Sequence, residues 1–156
     1  QMGRPDVLYE QPINSFVANF IGVSNPIAGK VVEFDPATRK AVVDAAGGLR
    51  LRGNVTSPQA TPTAGDAVVV AIRPERLRID SAETAEPGPG WTAIEGHVRQ
   101  GTYLGDQTEF RVVTGAAGEL VVRRQNAAGA NSGEGVGPGD RVTVSWHEEA
   151  NLILFN

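Results

Sequence analysis

The chain has 156 residues, no cysteine and a formal net charge of −4. Disulfides, thiolate metal sites and cysteine nucleophiles are excluded, and a nucleic-acid partner is disfavoured because phosphate binding calls for a basic excess. The 40% apolar content is enough for a packed core, yet no apolar run approaches the ~20 residues of a membrane-spanning helix.

The first residues lack the charged-then-apolar pattern of a secretory signal. Gln1 followed by Met2 reads as the interior of a longer protein. Asp6 can cap a short helix through Glu10, and Pro12 interrupts it. Asn14 then caps a second helix. Phe16, Val17, Phe20 and Ile21 fall at i, i+1, i+4 and i+5, one apolar helical face, and Gly22 stops it. That face packs either on its own domain or on a domain that precedes it.

From residue 28 the period changes. Val31–Phe34 and Lys40–Asp44 flank the turn signal Asp35-Pro36-Ala37-Thr38 and read as a hairpin. Leu49-Arg50-Leu51-Arg52 alternates, as a strand with one wet face does. Asn54–Gly65 reads as a loop. Ala67–Ile72 reads as a strand buried on both faces, ended by Pro74. Leu77–Asp80 gives a short further strand. Residues 81–93 carry Pro87-Gly88-Pro89-Gly90 and read as a linker, with Trp91 sealing a core edge.

Ile94–Gln100 opens a second set, followed by a turn over Gly101–Gln107. Thr108–Val113 and Glu119–Arg123 form a hairpin across Gly115–Gly118. Asn126–Gly139 is a glycine-rich loop. Val142, Val144 and Trp146 point one way, and Arg141, Thr143 and Ser145 the other. Asn151–Phe155 is the closing strand.

These two sets repeat one another. Gly65–Ile79 returns as Gly139–Leu154: both open on Gly-Asp, run into β-branched residues, break at charges and close on aliphatics. Ile27-Ala28-Gly29-Lys30-Val31 is echoed by Ile94-Glu95-Gly96-His97-Val98. One small β-unit is written twice, a pattern that suits a binding or interaction module.

Catalytic, cofactor and metal sites are not expected. No Walker A loop occurs, and the glycine-rich Gly133–Gly139 fails the GxGxxG spacing and precedes a strand. His97 and His147 sit at strand ends without a second His at i+4, and no GxSxG elbow supplies a nucleophile. Asn54-Val55-Thr56 matches a glycosylation sequon, too short a match to carry weight. The arginines at 50, 52, 73, 76, 78, 123 and 124 read either as anion contacts or as solvated faces paired with neighbours such as Glu75 and Asp80. Nine aromatics, five Phe, two Trp and two Tyr, leave few stacking platforms for single strands.

The stretch Gly3–Gly22 resembles the end of the nucleotide-binding domain in ATPase subunits of bacterial ABC importers: Leu8-Tyr9-Glu10, Pro12, Asn14, Phe16-Val17-Ala18 and Phe20-Ile21-Gly22 match, with Asn25 following. Ile72-Arg73-Pro74-Glu75 resembles a signature of the accessory TOBE (transport-associated OB) domain behind that ATPase. Tyr103-Leu104-Gly105 and Gly139-Asp140-Arg141-Val142 resemble its second-repeat signatures. Gln125-Asn126 and Ser145-Trp146 look most like the spermidine/putrescine-type branch; iron, thiamine and sugar importers share much of the pattern.

The resemblance implies an all-β fold of two OB-like β-barrel lobes preceded by short N-terminal helices. Residues 1–26 would be the helical tail of an ATPase domain, 27–80 the first lobe, 81–93 a linker and 94–156 the second lobe. It further implies a C-terminal regulatory and dimerisation domain, a homodimer, permease subunits as partners, no nucleic acid, and a place at the cytoplasmic face of the inner membrane. ATP and Mg would belong to the parent subunit, with no cofactor in this region and no catalysis by it. Phe16 and Phe20 would dock on the ATPase domain, Arg73 and Glu75 would form a structural or interface ion pair, and Trp146 would build a lobe. Two alternatives remain open: a module binding a small anion or metabolite in a cleft between repeats, and a free-standing OB-type nucleic-acid binder.

Overall fold

The computed structural model describes residues 24–81, 88–126 and 136–155. The helices expected within residues 1–22, with Phe16 and Phe20, lie outside the described residues. Strands dominate: β1 (Asn25–Asp35), β2 (Lys40–Ala45), β3 (Arg50–Val55), β4 (Ala67–Ile72), β5 (Arg78–Ser81), β6 (Trp91–Tyr103), β7 (Gln107–Thr114), β8 (Gly118–Gln125), β9 (Arg141–His147) and β10 (Leu152–Leu154). Only short 3-10 turns interrupt them. The fold is all-β.

The chain divides into two compact units, one reaching to Ile72 and resuming at Asn151, the other spanning Arg73–Ala150. In the first, β1-β2-β3-β10-β4 close into a barrel. Alternation does the sorting. Ala41 and Val43 of β2, and Leu51 and Val55 of β3, point inward with relative exposures of 7% or less, while Arg50 and Arg52 stay wet. The β1–β2 turn is held by Asp35: its Oδ1 accepts the Ala37 N–H at 2.9 Å and its carbonyl accepts the Arg39 N–H at 2.8 Å. Val70, Ile72 and Ile153 complete a core sealed from solvent.

The second unit is a five-stranded sheet in the order β5-β9-β6-β7-β8. Its core is Phe110, Val112, Leu120, Val122, Val144 and Trp146. Here too hydrophobic burial along period-2 strands is the dominant stabilising term. Ser145, on the polar side of β9 by alternation, is nevertheless buried.

The sequence repeat is a repeat of hydrogen bonds. In the first unit the ladder slips between Val31 and Glu33, in the second between Val98 and Gln100. Each bulge is clamped by its Gly-Asp turn. Val31 exchanges bonds with Asp66 O (2.9 Å) and the Gly65 N–H (2.8 Å); Val98 does so with Asp140 O (2.9 Å) and the Gly139 N–H (2.7 Å). Both aspartates brace their own turn, Asp66 accepting the Thr63 N–H at 2.9 Å and Asp140 the Gly137 N–H at 2.8 Å. Gly65 and Gly139 stand at φ 96° and 89°, a region costly for residues with a Cβ. The Gly-Asp pair is thus the device that bends the first strand of each unit.

Three sequence boundaries need correction. First, β5 pairs with β9 and belongs to the second unit, while β10 pairs with β3 and β4 and belongs to the first. Each repeat therefore gives its last strand to the other unit, and the division into 27–80 and 94–156 cuts in the wrong places. The crossings fall at equivalent points, beside the 3-10 turns Pro74–Arg76 and Glu148–Ala150. Second, the expected linker is shorter than 81–93: β5 reaches Ser81 and β6 already starts at Trp91. Trp91 is only half-buried, edge-on to His147 with ring centroids 5.6 Å apart. Third, Asn25 and Pro26 are strand residues of β1 rather than part of a helical tail.

Candidate functional site

The two units differ where their sheets would close. In the barrel, β10 lies between β4 and β3, antiparallel to one and parallel to the other. The Asn54 N–H donates to Asn151 O at 3.0 Å and the Thr56 N–H to Ile153 O at 3.1 Å. Asn151 Nδ2 adds a bond to Arg52 O at 2.8 Å. In the second unit the corresponding edges, β5 and β8, approach but form no ladder. The Arg124 guanidinium reaches across the seam and donates to Ile79 O at 3.3 Å.

The ladders place different residues at the two edges. Val43 faces Leu51 in one unit and Val112 faces Leu120 in the other, so Gly53 corresponds to Val122. A Cβ at Gly53 would stand 2.6 Å from both Cβ and O of Asn151. Barrel closure needs that space empty. The repeat puts Val122, fully buried, at the position of Gly53 and Leu77, 4% exposed, at the position of Asn151.

The opening is a cleft of about 280 Å³ bordered by Leu77, Ile79, Arg78, Arg123, Arg124 and Gln125, with Glu75, Asp80 and Gln107 completing it. Arg124 is half-buried, its guanidinium carbon 5.2 Å from the centroid of the Phe110 ring. Arg78 lies over Trp91 at 5.4 Å. Such cation–π contacts hold a guanidinium without neutralising it.

Beside the cleft runs a ladder of charge on β6, β7 and β8. Arg99 grips Glu119 through two bonds of 2.7 and 3.0 Å. Glu119 reaches Arg111 at 3.4 Å, Arg111 reaches Glu109 at 3.8 Å, and Glu109 holds Arg123 at 3.1 Å. The hydrogen bond from Arg99 holds the Glu119 carboxyl below its usual range and raises the Arg99 guanidinium above its own. Of the arginines singled out from the sequence, Arg50 pairs with Asp44 at 2.8 Å and Arg123 with Glu109 at 3.1 Å.

Of the residues singled out from sequence, Trp146 is wholly buried in the second unit. Arg73 precedes the turn Pro74–Arg76 and is half-buried; Glu75 is exposed in the middle of that turn. Among the described residues, Tyr103 and Leu104 are the large apolar side chains left most exposed, at 71% and 47%. Their turn is stiff: Asn126 donates to Gly105 O at 2.9 Å and accepts from Thr108 Oγ1 at 2.9 Å. Among the described residues no cluster of His, Cys, Asp or Glu could hold a metal ion, and no helix is long and apolar enough to cross a membrane. The cleft was missed in the sequence because its arginines come from separate strands; the signal that could have found it was Val122 standing where the repeat has Gly53.

A duplicated OB-like module made of a closed barrel and a curled sheet is the class this architecture defines. The same fold occurs in the cytoplasmic molybdate-binding protein ModG, solved with molybdate, at a TM-score of 0.69 and 16% identity, over 83% of this chain and 94% of that one. A family model for the TOBE domain matches residues 70–154, more than half the sequence, and the chain belongs to that family. Among curated proteins it is 37% identical over 154 residues to the spermidine/putrescine import ATP-binding protein PotA of Rubrobacter xylanophilus, and 35% identical over 158 residues to PotA of Frankia alni. The alignments take in 99% of this chain but 37% and 33% of those relatives, so the chain spans about a third of their length.

Proposed function

We propose that this chain is the accessory region of the ATP-binding subunit of an ABC importer of the spermidine/putrescine type. The observation that carries it is the alignment of nearly the whole chain with PotA proteins. ATP and Mg are handled by the ATP-binding domain of such a subunit, and the β-units do no chemistry themselves. Their role is mechanical: two copies meet and tether two ATP-binding domains while those open and close. A fixed contact far from the nucleotide raises the effective concentration of one domain for the other. A ligand favouring one arrangement of the units would bias turnover.

On this reading the subunit is peripheral, at the cytoplasmic face of the inner membrane under its permease. Phe16 and Phe20 pack on the ATP-binding domain, and Arg73 with Glu75 serves as a structural or interface ion pair. Iron, thiamine or sugar importers are the neighbouring alternatives for the transported substrate.

A chimera tests the proposal. The last third of a PotA protein is replaced by this chain, and spermidine uptake is measured in cells lacking their own PotA. Uptake above the empty-vector level supports the reading. A chimera that is stably expressed and still inert, while the unmodified PotA restores uptake, refutes it.

A further inference from the structure

We propose that the tip of the β6–β7 hairpin, Tyr103-Leu104, is a knob that docks on the ATP-binding domain of the same polypeptide. The inference names a contact surface within the transport reading and rests on that reading.

The repeat shows that the fold does not require this knob. Beyond the equivalent bulges, the first hairpin ends its ladder at Asp35 opposite Lys40, and the second runs one pair further, to Tyr103 opposite Thr108. The first tip is Asp35-Pro36-Ala37-Thr38, polar or small and exposed throughout. The second carries two adjacent large apolar side chains, exposed at 71% and 47%. Each hairpin already has one aromatic ring below its tip. In the first it is Phe34, opposite Ala41 and under the Arg39 guanidinium at 5.1 Å. In the second it is Phe110, opposite Gly101 and under Arg124 at 5.2 Å. Tyr103 is thus an additional aromatic, with no counterpart in the first repeat and no part in the core.

The tip is held ready for contact. The Leu104 N–H donates to Gln107 O at 2.7 Å, and the Asn126 N–H donates to Asp106 O at 2.8 Å. Asn126 Nδ2 donates to Gly105 O at 2.9 Å, and Gly105 takes φ 92° to make the turn. A backbone fixed in advance loses little entropy on docking, and tyrosine is a favoured anchor at protein contacts.

The size of the knob selects the partner. An aromatic side chain buries about 150–250 Å², so the tip offers on the order of 250 Å², against about 800 Å² per partner in a stable interface. A second copy or a separate protein is not held by so small an area. A domain in the same polypeptide is, because the linkage keeps it at a roughly millimolar effective concentration. The relatives have room for such a domain: the aligned region is 37% and 33% of the two PotA chains. Within Gly101–Gln107 the only charged residue is Asp106, which is exposed. The surface that receives the knob is therefore an apolar groove with a neutral or basic rim.

The test is hydroxyl-radical footprinting, which oxidises exposed side chains and is read by mass spectrometry. Two samples are compared: this chain alone, and the chimera in which it follows the ATP-binding portion of Rubrobacter xylanophilus PotA. In the chain alone, Tyr103 and Leu104 should oxidise readily at every protein concentration. In the chimera their oxidation should fall severalfold and stay low on dilution, as an intramolecular contact requires. The double variant Tyr103→Ser, Leu104→Ser should melt like the wild-type chain, since neither side chain is buried, yet lower spermidine uptake by the chimera severalfold at unchanged expression. Equal oxidation in both samples, with a chimera that restores uptake, overturns the inference and leaves the transport reading standing. A chimera that is expressed but inert removes the reading and the inference together. Protection that grows with concentration in the chain alone, or disappears from the chimera on dilution, assigns the knob to a second copy and also overturns the inference.

Discussion

Replacing Gly53 by alanine tests what closes the barrel. The added Cβ would lie 2.6 Å from Asn151 Cβ, 2.6 Å from Asn151 O and 3.1 Å from Asn151 C. Two of those atoms are backbone, so no rotamer change relieves the clash, and either β3 or the start of the final segment must move. Overpacking of this kind costs about 1–3 kcal/mol. Displacing Asn151 also strains the Asn54–Asn151 and Thr56–Ile153 bonds, worth about 0.5–1.5 kcal/mol each. The alanine stiffens the unfolded chain and returns roughly 0.4–1 kcal/mol. A net loss of about 2–4 kcal/mol follows, a large share of the ~5–15 kcal/mol typical of a domain. Both tryptophans belong to the second unit, so fluorescence does not report this change. Hydrogen exchange at the Thr56 and Asn54 amides does, alongside urea denaturation followed by circular dichroism. If Gly53→Ala leaves those amides protected and costs under about 0.5 kcal/mol, well below the overpacking range, the steric account of closure is wrong.

Three further outcomes follow from the same geometry. Trp146→Ala empties a site with 0% exposure and should cost about 3–5 kcal/mol in chemical denaturation; a cost under ~1 kcal/mol would show that the residue does not anchor the second core. Gly96→Ala should destabilise the second unit in denaturant melts, because its Cβ would stand 2.5 Å from Val113 O; the repeat partner Gly29 would meet Val43 Cγ1 at 2.5 Å and should respond in the same sense. The Glu119 carboxyl, held low first of all by its hydrogen bond from Arg99, should titrate below the ordinary glutamate midpoint by NMR. Because its folded pKa is depressed, its contribution is complete above the unfolded value and is lost as pH falls through the folded one. Arg99→Gln should move that midpoint upward, and an unmoved midpoint contradicts the assigned cause.

Much of the fold was legible because alternation and turn chemistry are local. The β1–β2 hairpin follows from Asp35-Pro36-Ala37-Thr38, and β7–β8 from Gly115–Gly118. The duplicated Gly-Asp announced the two units and is the clamp at both bulges. Partner choice was not legible. Period 2 says that Arg78–Ser81 and Leu152–Leu154 are strands, but a strand of four or three residues carries too little pattern to say which edge it joins. Contact across a large gap in sequence is set by shape at the destination. The candidate cleft was hidden for the same reason: Arg78 and Arg124 read as separate basic patches until β5 is placed beside β8.

The duplication explains why one unit could acquire an opening that the other lacks. Two copies of a five-stranded design need the same closure, and each receives its fifth strand from the other repeat. The second copy has buried Val122 where the first has Gly53, and Leu77 where it has Asn151, and its edge strands β5 and β8 form no ladder. The edge donors of β8 are left to other partners, and one inward arginine stands at the gap. A barrel that closes by backbone pairing is structurally finished. An open sheet keeps a cleft bordered by Leu77, Arg78 and Arg124 between its end strands, and that asymmetry within a repeated unit is what makes the second copy the place to look for a ligand.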